Sequence, residues 1–258
     1  MENSQEANIE ELAEIREEIS FWQKVQSTAL TVVAIMLSIG QWNDTKEVVI
    51  TSYEGIKAIW TNEVEYARLS KISIGHTLEY AESELGVAQA IKQSKLNQDV
   101  TFRYYKDNKY LLSLAVKNER IVGLSLVSLI KDFQASLPYH NGEINDLSLV
   151  QLFEQSGPYF TDSGNIDYYL ESQELGRNAM FYSLLIGIVD YGDIPQLTIS
   201  SLKSLNNALN QGKESLESEL SAVRMQRPNA YAVTELSPAV MAESYLTRFE
   251  YNAYFAKG

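Results

Sequence analysis

The chain has 258 residues, no cysteine and a net charge of −13, and 45% of its residues are hydrophobic. That balance belongs to a folded protein rather than a disordered one and leaves no disulfide to staple it. It argues against a nucleic-acid partner, because phosphate neutralisation needs a concentrated basic face and the local basic cluster is just Arg224 with Arg227.

Near the N-terminus, IEELAEIREEIS sets Leu12, Ile15, Ile19 and Trp22 on one helical stripe with glutamates around the remainder, which predicts an acidic amphipathic helix over 1–20. Val25 to Asn43 then carry no charge, and Trp22 and Trp42 stand near the two ends of this run. At about 1.5 Å per residue the two indoles lie roughly 30 Å apart, the thickness of a bilayer's hydrocarbon core. A transmembrane helix over 21–43 is therefore expected, with Trp22, Val32, Val33, Ile35, Leu37 and Trp42 as its membrane anchor. Thr31, Ala34 and Ser38 share one face and form a small-residue helix-packing seam suited to a homo-oligomer. Gln26, Ser27, Thr28, Thr31 and Ser38 dilute the run, and a long buried helix in a soluble oligomer is the alternative. The acidic flank, from Glu2 to Glu18 with Arg16 alone against it, disfavours a cleaved signal peptide. Arg16 and Lys24 are matched by Lys46 and Lys57 across the run, so a bacterial inner-membrane protein with a cytoplasmic C-terminal part is preferred by a narrow margin.

About 210 residues follow, enough for one sizeable core or two small ones. In LSKISIGHTLEYAESELG, Gly75 and Thr77 open a helix, Leu78, Ala81 and Leu85 form its apolar face, and Gly86 stops it. Alternating segments at 100–106, 110–116 and 120–128, parted by turns at Asp107-Asn108 and Lys117-Asn118, predict an antiparallel meander. DLSLVQLFEQSGP, from Asp146 to its terminating Gly157, repeats the helical theme, and IDYYLES and MFYSLLIGIVDY read as strands. Whether this second stretch duplicates the first stays open.

The runs IGHTLEYAESELG and FRYYKDNKYLLSLAVKNERIVGLSLV resemble the helix-then-meander signature of the small bacterial lipoproteins of the SmpA/OmlA (BamE) kind and of the β-lactamase inhibitor proteins. With an N-terminal span and the following LIKDFQASLPY, the chain resembles still more an uncharacterised bacterial single-pass family named after an enterotoxigenic Escherichia coli locus. The resemblance covers Tyr66 to Tyr139. Gly86-Val87-Ala88 stands where the lipoproteins have Gly-x-Pro, and there is no lipobox cysteine. What the resemblance implies is a fold that binds proteins.

Towards the C-terminus, Leu197, Leu202, Leu205, Leu209, Leu216 and Leu220 recur at helical spacing with a break at Gly212. Ser237-Pro238 then starts a last helix with Val240, Met241, Tyr245, Leu246 and Phe249 toward the core.

Chemistry is sparse. His76 and His140 have no partner at metal-ligand spacing, Ser128 and Lys131 match a serine–lysine spacing without its companion motifs, and Tyr53 with Lys57 is an isolated Y-x-x-x-K. Asp190, Asp193 and Glu235 have no spacing that pairs them. The expected fold is α+β: one N-terminal transmembrane helix, a helix-plus-meander domain over 44–139, a second α+β unit over 140–196 and a helical region over 197–258. The expected function is a membrane-anchored, protein-binding adapter without catalytic residues, cofactor or metal, whose partners are the lipid bilayer and another protein. The alternatives are an oligomeric membrane effector, pore-forming or membrane-perturbing, and a ligand-sensing membrane protein.

Overall fold

An uncharged run is not thereby an apolar one, and the N-terminal segment shows the difference. The computed structural model of the protein describes residues 25–32, 62–162 and 167–255, and the chain divides into two compact units, Met1–Glu63 and Val64–Gly258. In the first unit a helix occupies 25–32 with every side chain exposed, and Gln26, Ser27, Thr28 and Thr31 make half of it polar. Among the described residues no helix is long and apolar enough to cross a membrane. The expected transmembrane helix over 21–43 is corrected accordingly, and with it the single-pass anchor and the inner-membrane placement. Of the anchor residues Val32 is described, 44% exposed; Trp22, Val33, Ile35, Leu37 and Trp42 lie outside the described residues, as do Ala34 and Ser38. The Thr31 hydroxyl donates to the Ser27 carbonyl at 2.8 Å, so it turns back onto its own helix.

The second unit is built on one eight-stranded antiparallel sheet. Its strands are β1 Ala90–Gln93, β2 Thr101–Lys106, β3 Tyr110–Lys117, β4 Arg120–Ser128, β5 Tyr159–Thr161, β6 Tyr168–Glu174, β7 Ser183–Val189 and β8 Ala230–Thr234, in the order β1-β2-β3-β4-β8-β7-β6-β5. The β3–β4 hairpin closes through Asn118 (φ 51) and Glu119 (φ 57), a two-residue loop with both central residues left-handed, the twist that suits a tight hairpin. The strand order is palindromic. Each half is a run of four strands, and the halves meet where β4 pairs antiparallel with β8, Ser125 opposite Ala232. The expected partition of this region at 139/140 and 196/197 thus runs through a single sheet. In place of a wholly helical region after 197, β8 occupies the centre of the sheet, where all five of its residues are buried. Asn229 seals the point where β8 enters: its side-chain oxygen accepts from the Val189 amide at 2.8 Å and its nitrogen donates to the Val189 carbonyl at 2.9 Å.

Helices cover both faces: α1 Glu63–Leu69, α2 Leu78–Leu85, α3 Leu149–Leu152, α4 Gln196–Asn210, α5 Glu217–Arg224, α6 Pro238–Ala242 and α7 Arg248–Phe255. Thr77 caps α2 by accepting from the Tyr80 amide at 3.2 Å, and Gly86 ends it at φ 81. On the first face, Leu114, Leu126, Leu184 and Ile186 of the sheet pack with Leu78 and Ala81 of α2, Phe133, Leu202 and Leu205 of α4 and Val223 of α5. On the second, Phe102, Tyr104, Leu170, Leu185 and Ala232 meet Val240 and Met241 of α6, Tyr245 and Leu246. This second covering is pinned at its ends. Glu243 accepts from the Lys95 and Leu96 amides at 3.1 and 3.2 Å, Lys92 on the edge strand β1 pairs with Glu250 at 2.9 Å, and Thr247 and Glu250 cap α7 reciprocally. The expected helix from Asp146 to Gly157 shortens to α3, because Phe153 leaves helical geometry (ψ 97) and its carbonyl accepts instead from the Arg224 guanidinium.

Candidate functional site

Covering a sheet with separate segments leaves gaps where they abut, and an apolar gap opens over the β4–β8 seam. Its floor is Leu112 of β3, Leu124 of β4, and Tyr231 and Val233 of β8; its walls are Leu69, Ile72 and Ile74 from the link between α1 and α2, and Pro138 and Tyr139 opposite. The cavity holds about 270 Å³. Burial holds the Tyr231 phenol above its usual range, so the hydroxyl stays protonated and neutral at the base of an apolar hole.

Tyr139 stands at the tip of a tight loop. Ser136 bridges Glu143, Leu137 donates to the Gly142 carbonyl at 3.0 Å and Ile144 donates to the Ala135 carbonyl at 3.1 Å. The tip residue is left-handed (φ 60) and 60% exposed. Its ring meets Tyr182 edge-on at 6.0 Å, and the Tyr182 hydroxyl contacts the Met180 sulfur at 3.2 Å. Burial first, then the neighbouring Tyr139 and Glu235, raise the Tyr182 phenol, while Arg120 opposes them. Arg120 itself is paired two-pronged with Glu235, the second contact at 3.1 Å.

Met180 and Phe181 precede Tyr182 in the chain. After a 3₁₀ turn at Arg177–Ala179 both take φ 57, and they are 66% and 71% exposed. Two consecutive non-glycine residues in the left-handed region cost about 1–2 kcal/mol each. Neither lines the seam cavity, whose exposed aromatic member is Tyr139.

On the other side of Tyr139 lies a larger, polar cavity of about 680 Å³, to which His140, Asn141, Gln151, Gln155 and Gln173 contribute.

The residues singled out for chemistry do not converge. Asp190 pairs with Arg248 and Glu235 with Arg120, each on its own arginine. The Ser128 hydroxyl donates to the Ile130 carbonyl at 2.6 Å, which turns it into its own loop and away from Lys131. His76 sits edge-on to Tyr80 at 4.8 Å, and its carbonyl accepts from Ile121. Tyr53 and Lys57 lie outside the described residues. Among the described residues no group of three His, Cys, Asp or Glu side chains is placed to hold a metal ion. Sequence reasoning missed the exposed left-handed pair, reading Met180-Phe181-Tyr182 as the start of a strand that begins at Ser183. The signal that marks it is the Gly176-Arg177-Asn178 turn chemistry immediately before.

No protein-family model matches the chain, and no curated protein matches it either. Among solved structures it is similar to a cysteine-rich secretory protein from Staphylococcus aureus subsp. aureus Mu50, at 12% identity and a TM-score of 0.31, over 67% of this chain and 46% of that one. The chain thus spans a little under half of that protein's length, and a likeness of this score carries no structural or functional argument.

Proposed function

We propose that the protein is a non-catalytic protein-binding module that seats an apolar side chain of a basic partner segment in the seam cavity, with Tyr139 as the contact at its rim. The observation that carries this reading is the apolar seam cavity with the left-handed, 60% exposed Tyr139 among its lining residues. An exposed aromatic side chain next to an apolar pocket is the usual composition of an interface anchor. The net charge of −13 favours a basic partner by long-range attraction and speeds encounter more than it tightens the complex. The resemblance of the helix-and-meander run to protein-binding lipoproteins and inhibitor proteins points the same way.

The test is a displayed library of peptides carrying one aliphatic or aromatic residue between lysines and arginines, followed by fluorescence polarisation of the selected peptides. Two variants decide it. Tyr139→Ala removes the exposed rim ring and Ser73→Trp fills the cavity from its exposed wall, and each is expected to weaken binding about tenfold or more. Selected peptides that bind both variants as well as the parent refute the reading.

A further inference from the structure

We propose that the polar cavity beyond Tyr139 is a binding site for a neutral oligosaccharide. Its volume of about 680 Å³ lies within the range of small-molecule sites. Its lining rules out most ligand chemistry. Glu154 is the one carboxylate and no lysine or arginine contributes, so a phosphate or carboxylate ligand finds no counter-charge there and a divalent cation finds too few hard ligands. Leu152 is its aliphatic member, so an apolar ligand finds little to bury against.

What remains is a set of neutral, largely exposed hydrogen-bonding groups that a ligand would take over from water. No hydrogen bond within the described residues engages the side-chain amides of Asn141, Gln155 or Gln173. Gln151 accepts from the Ser148 amide and hydroxyl through its oxygen at 2.9 and 2.8 Å, which fixes the side chain and leaves its NH₂ as a donor. His140 Nδ1 lies 2.9 Å from the Asn141 carbonyl, an acceptor, so Nδ1 donates there and Nε2 is left for another partner. An amide offers a donor and an acceptor side by side, the pairing that adjacent sugar hydroxyls take. Tyr139 supplies the aromatic face on which the C–H side of a sugar ring stacks, and its ring is braced edge-on by Tyr182.

This site is distinct from the seam cavity, although Tyr139 borders both, so the test leaves Tyr139 alone. Maltotriose, cellotriose, chitotriose and mannotriose, with a trigalacturonate as an acidic control, are titrated into the full chain by calorimetry. We expect at least one neutral trisaccharide to bind, and Gln155→Ala/Gln173→Ala to weaken it about tenfold with unchanged circular dichroism. A second readout needs no substitution. The chain has two histidines, and the bound sugar is expected to shift the imidazole C–H resonances of His140 while leaving those of His76 in place. The proposal is overturned if no neutral trisaccharide binds at about 10 mM, if the acidic control alone binds, if the double variant binds as well as the parent, or if His140 is unmoved. Ser73→Trp separates the two sites: sugar binding unchanged in it keeps the polar cavity, and sugar binding abolished in it places the ligand in the seam cavity and overturns the assignment.

Discussion

Arg224→Ala is expected to be among the most damaging single changes away from the apolar core. Glu171 on β6 has a fully buried side chain, and Arg224 at the end of α5 reaches it through Nε at 2.9 and 3.2 Å to the two carboxylate oxygens. The same guanidinium also donates to the Phe153 carbonyl. Truncation leaves a carboxylate with the Tyr169 hydroxyl at 2.8 Å as its remaining described donor, in a place that water does not reach. Removing one partner of such a pair costs about 3–5 kcal/mol, because the other charge stays buried. For a unit running from Val64 to Gly258, that corresponds to a fall in Tm of roughly 6–20 °C. Urea unfolding followed by circular dichroism, extrapolated linearly to water, measures it. The double variant Glu171→Gln/Arg224→Met is expected to recover at least about 2 kcal/mol, since Gln still accepts from Tyr169 and the buried charge is gone, with the shortfall assigned to the unpartnered Phe153 carbonyl. A loss below about 1 kcal/mol in the single variant, the value of an exposed pair, refutes the reasoning. So does a double variant as unstable as the single one, which would assign the loss to the packing of the arginine stem.

Burial, and then the neighbouring Asp167 charge, hold the Asp162 carboxyl above its ordinary value of 3.8. The folded state therefore binds this proton more tightly, and the stability it brings is full below 3.8 and lost as the pH rises through the raised value. Asp162→Asn keeps an oxygen for the Asp167 amide and is expected to raise Tm by about 1–3 °C at pH 7, with the gain vanishing below 3.8 in a pH series of melts. Gly187→Ala is expected to cost at least about 3 kcal/mol or to yield insoluble protein, since the added Cβ lies 1.9 Å from the Tyr169 carbonyl oxygen and the β6–β7 ladder must part; Gly176→Ala, with nothing within 4 Å, stays within about 0.5 kcal/mol. Phe181→Gly relieves left-handed strain and is expected to stabilise the fold by up to about 1 kcal/mol; a destabilised Phe181→Gly shows that the strain is not there.

The strands β2, β3 and β4 lie within a residue of the segments read from the sequence, because each is a short, largely apolar or aromatic run closed by turn residues that act locally. β8 had no such signal. Ala-Tyr-Ala-Val-Thr is short and alanine-rich, and it becomes a strand because β4 and β7 offer it two ladders from distant parts of the chain. The transmembrane expectation set the absence of charge above the polar residues that dilute the run, Gln26, Ser27, Thr28 and Thr31. Tyr139, Met180 and Phe181 were visible as residues. Their left-handed conformations, and the place of Tyr139 beside the seam cavity, depend on loops closing over a sheet, which no local pattern encodes.

The palindromic strand order fixes when the sheet becomes whole during synthesis. Of its eight strands, the one that joins the halves comes last in the chain, so β4 and β7 both wait with open edges until residues near Thr234 emerge to pair with Gly123 and Ser183. Contacts so far apart in sequence form slowly, and open edges recruit other chains meanwhile. A nascent chain stalled or truncated before Ala230 is thus two half-sheets looking for a partner, and a chaperone that shields β4 and β7 on the ribosome would serve this protein better than one that meets it after release.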